Sequence, residues 1–158
     1  MTRAQFEEQI EAELTSLRGV IVEIDALLRD ADRAEGITPL RASTLAGAFI
    51  QQFYNGLETV LKQTASFAGL PLPEGDHFHA DLLALFGPDA PPDTPLRFDA
   101  ELFSDLDPFR KFRHVFRTSY SAHLDWTKLY PGARTARSVF DRFEVVVRDA
   151  LLSTPDPD

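Results

Sequence analysis

Apolar residues recur along the chain in helical stripes. Phe6, Ile10, Leu14, Leu17, Ile21, Ile24 and Leu28 follow one another at spacings of 4, 4, 3, 4, 3 and 4, which lines them along one face of an α-helix. Glutamates and arginines fill the opposite face, and the polar stretch 30–36 ends the pattern. Thr38-Pro39 starts a second helix, with threonine as N-cap and proline in the first turn, where its missing N–H costs nothing. Leu45, Phe49, Phe53, Leu57, Val60 and Phe67 carry its stripe as far as Gly69. Two helices of this length joined by a short loop predict an antiparallel pair.

The second half of the chain is more broken. Residues 70–75 form a proline and glycine loop, after which Asp76 can cap a short helix reaching Phe86. Residues 87–95 hold four prolines in nine positions and cannot be helical throughout. Residues 99–106 read as helix, and Asp107-Pro108 either kinks it or caps a new one running to about His123. A last helix is expected from about Thr135 to Leu152, with Val139, Phe140, Phe143, Val146, Val147 and Leu151 on its apolar side. No strand-like alternation of useful length appears. The expected class is all-α: an antiparallel bundle of four or five helices in one domain over residues 1–153, followed by a polar tail at 154–158.

Composition narrows the setting. A chain of 158 residues with 44% hydrophobic and 26% charged residues is ordinary for one soluble domain. There is no cysteine, so thiol chemistry is excluded. No apolar run approaches the roughly 20 residues that span a bilayer, and the first thirty residues show no signal-peptide pattern. A cytoplasmic location without membrane contact is the expectation. A formal net charge of −9 argues against broad, non-specific nucleic-acid binding.

Against that acidic background one stretch stands out. FRKFRHVFRTSY, residues 109–120, places four basic side chains and a histidine among four aromatics within twelve positions. At about 100° per residue, Phe109, Phe112 and Phe116 share one arc of a helix, with Val115 at its edge. Arg110, Arg113, Arg117 and His114 share another, and Tyr120 falls at the border about 20° from Arg113. Phe116 is thereby expected in the core, and Arg113 on an open face whose truncation spares the fold. A solvated basic face is one reading. The other is a phosphate site, because guanidinium groups bind phosphate through two parallel hydrogen bonds and histidine exchanges protons near neutral pH.

The sequence resembles the HepT-like ribonuclease toxins of the HEPN superfamily. The resemblance is carried by RASTLAGAFIQQFYNGLETVLK, by LPEGDHFHADLL and, most specifically, by FRHVFRTSYSAHLD. It implies a helical bundle that cleaves RNA without a metal or other cofactor, the 2′-OH attacking the adjacent phosphorus while an arginine stabilises the phosphate charge. The family motif is an arginine, a histidine five positions later and a tyrosine two beyond. Arg113 and Tyr120 match it, but Thr118 stands at the place of the histidine. The implied catalytic set is therefore Arg113, His114 and Arg117, with Arg110, Arg113 and Arg117 as the RNA- or phosphate-binding set.

The resemblance also implies a homodimer whose motif helices line a shared cleft. It implies, too, a nucleotidyltransferase partner that acts as antitoxin by transferring AMP to Tyr120. An alternative of another class is a non-catalytic HEPN dimer that binds a nucleotidyltransferase or a nucleotide.

Other polar groups carry less. His77 and His79, two positions apart on a helix, diverge by about 200° and do not suggest a metal site. Tyr54, Asn55 and Glu58 read as a buried network between helices, or alternatively as a support in which Glu58 orients Arg113. Trp126 and Tyr130 read as core or dimer contacts.

Overall fold

The structure is a computed structural model and describes residues 1–33, 35–118 and 125–152, with only the backbone of residues 117 and 118. Its order is α1 (Arg3–Ala31), α2 (Pro39–Phe67), α3 (Phe78–Ala84), α4 (Ala100–Thr118) and α5 (Trp126–Val147), extended by a π-helical turn, Arg148–Leu152. Among the described residues there is no strand, and no helix is long and apolar enough to cross a membrane.

Local chemistry sets most of the helix ends. Thr2 and Gln5 form a reciprocal capping box at the start of α1. Thr38 accepts from the Arg41 amide and Pro39 follows it in the first turn of α2. Gly69, at φ 70°, turns the chain out of α2 while the Leu70 amide reaches back to the Ala65 carbonyl at 2.9 Å. That left-handed residue with its long backward bond is the ending glycine permits best. Asp99 accepts from the Leu102 amide at 2.8 Å and starts α4.

α1 and α2 are antiparallel, so that Phe6 at the start of one stacks on Phe67 at the end of the other, ring centroids 4.2 Å apart. They approach closely at Gly56, where an added Cβ would lie 2.5 Å from a Leu17 methyl. α5 runs antiparallel to α1, stapled by Arg148–Glu11, Arg18–Glu144 and Arg137–Asp25. α2 is central and packs against α1, α3, α4 and α5. Phe53, fully buried, meets Phe109 of α4 and Phe140 of α5 edge-on. Burying each such ring removes enough apolar surface from water to contribute about 1.5–3 kcal/mol.

Several expectations need correction. Of the two alternatives at Asp107-Pro108, the new cap falls away: one helix runs from Ala100 to Thr118 with Pro108 inside it. α5 begins at Trp126, not near Thr135: Asp125 caps it through the Thr127 amide, and the buried Leu129 and Ala133 hold the turn around Pro131 in the bundle. Leu27 rather than Leu28 is fully buried on α1, and Leu45 is largely exposed. Short α3 ends at Ala84 and has His77, not Asp76, at its N-cap, without a side-chain cap bond. On α4 the core reaches Phe109, while Phe112 and Phe116 are half-buried and stacked on each other 5.9 Å apart. The wheel gave the right direction for Phe116 but too much depth. Trp126 is half-buried against the core, with Tyr130 beside it.

Candidate functional site: a braced arginine at a histidine-lined cavity

Asn55 and Glu58 lie about one turn apart on α2. Glu58 is 2% exposed. A carboxylate so enclosed is costly unless it is paired and hydrogen-bonded. The partners come from two other helices. α3 brings His79, whose Nδ1 lies 2.5 Å from Glu58 Oε2. α4 brings Arg113, whose Nε lies 3.4 Å from Glu58 Oε1 and donates to Asn55 Oδ1 at 2.8 Å.

Arg113 and His79 also touch each other, with Nη1 2.9 Å from His79 Nε2. This contact assigns the tautomer. A guanidinium only donates, so Nε2 must be the acceptor. The ring proton then sits on Nδ1 and is donated to Glu58, and the imidazole is neutral in this arrangement. Glu58, His79, Arg113 and Asn55 thus form one continuous chain of hydrogen bonds linking three helices. Phe78 packs edge-on against the His79 ring, centroids 5.2 Å apart, and restricts its tilt.

The chain opens onto a cavity of about 610 Å³ lined by Asp76, His77, His79, Arg110, Arg113 and His114, together with Ala80. Three of the chain's four histidines are on its wall. Arg110 is steadied by Asp107, Nε to Oδ1 2.7 Å, and Lys111 reaches the other oxygen of that carboxylate at 3.0 Å. Burial alone would raise the Asp107 carboxyl, but these hydrogen bonds outweigh it and hold the group below its ordinary range. Beneath the network lies Tyr54, 1% exposed. Burial, and then the Glu58 carboxylate, push its phenol far above the usual range, so it remains a neutral hydroxyl. Among the described residues it has no hydrogen-bond partner.

Of the expected site residues, Arg110, Arg113 and His114 converge on this one cavity. The Arg117 side chain, the Thr118 side chain and Tyr120 lie outside the described residues. Arg113 is not the open side chain the helical wheel suggested. It is 15% exposed and bonded into the bundle. Glu58 and Asn55 both bond Arg113, as the support reading expected of Glu58, but the buried-network reading does not hold as made: Asn55 is exposed and the Tyr54 hydroxyl has no partner among the described residues. Sequence reasoning left His79 without a role. Its only signal was a histidine on a short helix with no apolar periodicity of its own.

No curated protein and no solved structure matches the chain. A model of HepT-like proteins matches residues 45–151, a span holding Asn55, Glu58, His79, Arg113 and His114. That span is more than half of the molecule, and the protein belongs to the HepT-like family of HEPN proteins, a membership that suggests a toxin-like function.

Proposed function

We propose that this protein is the toxin of a toxin–antitoxin pair and acts as a metal-independent endoribonuclease. The observation that carries this reading is Arg113, a guanidinium fixed by Glu58, Asn55 and His79 at the wall of a cavity that Arg110 and His114 also line. An arginine so fixed meets a phosphate with little ordering left to do. Arg113 is the phosphate-charge stabiliser in this scheme, Arg110 and Arg117 bind the neighbouring backbone, and His114 assists proton transfer. Two copies pair so that their α4 helices extend one basic arc over several phosphates, and a dimer of this kind buries about 1,200–2,000 Å².

The partner is a nucleotidyltransferase that transfers AMP to Tyr120. AMP on that position adds an anion close in sequence to the arginines and competes with RNA for them. Labelled RNA incubated with purified protein in EDTA tests the nuclease: cleavage by the wild type and its loss in Arg113→Lys are expected, and an intact substrate refutes it. Intact mass after co-expression with the adjacent nucleotidyltransferase tests the modification, an AMP adduct being expected on the wild type and absent from Tyr120→Phe.

A second reading has one specific observation behind it. Thr118 occupies the motif position where the family carries histidine, and threonine exchanges no proton at neutral pH. In that reading the protein is a HEPN dimer that binds RNA, a nucleotide or its partner enzyme and cuts nothing. Retained RNA binding without any cleavage favours it.

A further inference from the structure

Threonine at the motif position leaves the proton-transfer step of RNA cleavage without its usual histidine, and His79 has the geometry to take it. Resting on the nuclease reading above, we propose that His79, oriented by Glu58, accepts the 2′-OH proton in place of His114. The catalytic histidine would then come from a different helix than the arginine.

Three features of the structure support this. First, the ring is aligned by a buried carboxylate. Glu58 accepts from Nδ1 at 2.5 Å, fixing the tautomer in which Nε2 carries the lone pair and stabilising the imidazolium once a proton arrives. Second, Nε2 lies 2.9 Å from Arg113 Nη1, so base and phosphate binder are in direct contact. A phosphate held by Arg113 brings the ribose hydroxyl next to it in the chain within reach of Nε2. Third, His79 is on the cavity wall and its side chain is 35% exposed, so substrate can approach it.

Arg113 can engage a phosphate while keeping its contacts with Asn55 and Glu58, giving up only the one with His79. Its Nε stays with Asn55 and Glu58 of α2 while the Nη edge turns to the phosphate, and Nη1 releases the Nε2 lone pair. Among the described residues, the other charged or titratable groups on the cavity wall are Asp76 and His77 ahead of α3, and Arg110 and His114 of α4; Lys62 of α2 lies over the neighbouring Phe78 ring. In the reaction the 2′-OH proton passes to Nε2, the 2′ oxygen bonds to phosphorus and the P–O5′ bond breaks. Solvent protonates the departing 5′ oxygen, and His79 returns its proton to solvent. The products are a 2′,3′-cyclic phosphate and a 5′-hydroxyl, with no change in oxidation state.

The test uses the full chain and a labelled RNA oligonucleotide in EDTA, with affinity measured on its 2′-deoxy analogue. His79→Ala is expected to lower the rate at saturating RNA at least about hundredfold, with affinity changed less than about threefold. Added imidazole should restore cleavage, and more basic imidazoles should restore it further. His79→Gln keeps an acceptor for Arg113 and should remain as slow, which separates proton transfer from support. Full activity in His79→Gln overturns the inference and leaves the nuclease reading standing. So does a loss of affinity matching the loss of rate without imidazole rescue, which makes His79 a positioning residue. A wild type that binds RNA and never cleaves it overturns both.

Discussion

Arg148, in the π-helical turn after α5, and Arg113, in α4, each meet glutamate from another helix. Arg148 donates through Nη1 and Nη2 to the two oxygens of Glu11, at 2.6 and 3.1 Å, and again to Glu144 at 3.1 Å. Its carboxylates outnumber it, and the hydrogen bond it donates to Glu11 above all raises its pKa further. Glu11 is 48% exposed, so the pair exchanges one well-solvated environment for another. Arg113 meets a carboxylate that is 2% exposed and shares it with a histidine, while Arg110 and His114 stand at the same cavity. The first arrangement satisfies a cation. The second anchors the inner side of a cation at the wall of a cavity that a second arginine, Asp76 and three histidines also line. Bonding to a glutamate alone therefore does not distinguish a surface staple from a site; the depth of the carboxylate and the charge beside the arginine do.

The sharpest way to break this comparison is to truncate each arginine. Arg113→Ala should lower RNA cleavage by about 10²–10³-fold, the usual loss on removing a donor to developing charge. Arg148→Ala should leave it within about twofold. A smaller effect should appear in stability. Glu58→Gln leaves Arg113 and His79 without their anion and should cost about 1–3 kcal/mol in urea unfolding, whereas Glu11→Gln should cost under about 1 kcal/mol. Equal losses would mean that Glu58 is no more than another staple.

Asp107 lies between the two cases, partly exposed and bonded to Arg110 and Lys111. Its carboxyl is lowered in the folded state, so it contributes stability above the ordinary carboxylate range and loses that contribution as pH falls through the lowered pKa. Asp107→Asn should cost about 0.3–0.5 kcal/mol at neutral pH, and the difference from wild type should vanish in acid titrations. The smallest effect is expected at Tyr54. Its buried hydroxyl has no partner among the described residues, so Tyr54→Phe should be neutral or slightly stabilising by thermal melting. A marked loss would reveal a bond to this hydroxyl.

The long helices were legible in the sequence because one stripe spans many turns and their starts carry explicit caps, as at Thr38-Pro39. The start of α5 was not. Packing carries the helix through Pro131 and Gly132: Gly132 sits against Ile50 and Phe109, within 3.6 and 3.8 Å of where a Cβ would be. The arginine half of the site was legible for the same reason as the helices, since Arg110, Arg113 and His114 lie within five positions on one arc. The bracing half was not. Glu58 and His79 are 21 residues apart and His79 and Arg113 are 34 apart, and no periodicity connects residues on different helices. A wheel reports angle and not depth, which is why Arg113 read as open and Phe116 as core.

The most direct measurement is RNA affinity, read by fluorescence anisotropy on a 2′-deoxy-blocked oligonucleotide, for Arg113→Lys beside Arg148→Lys. Lysine keeps the charge and loses the planar fork that Glu58, Asn55 and His79 hold in place. Arg113→Lys should weaken binding by about tenfold or more, the worth of a charge-assisted hydrogen bond, and Arg148→Lys should not change it. Equal affinities for wild type and both variants would contradict a phosphate site built on Arg113.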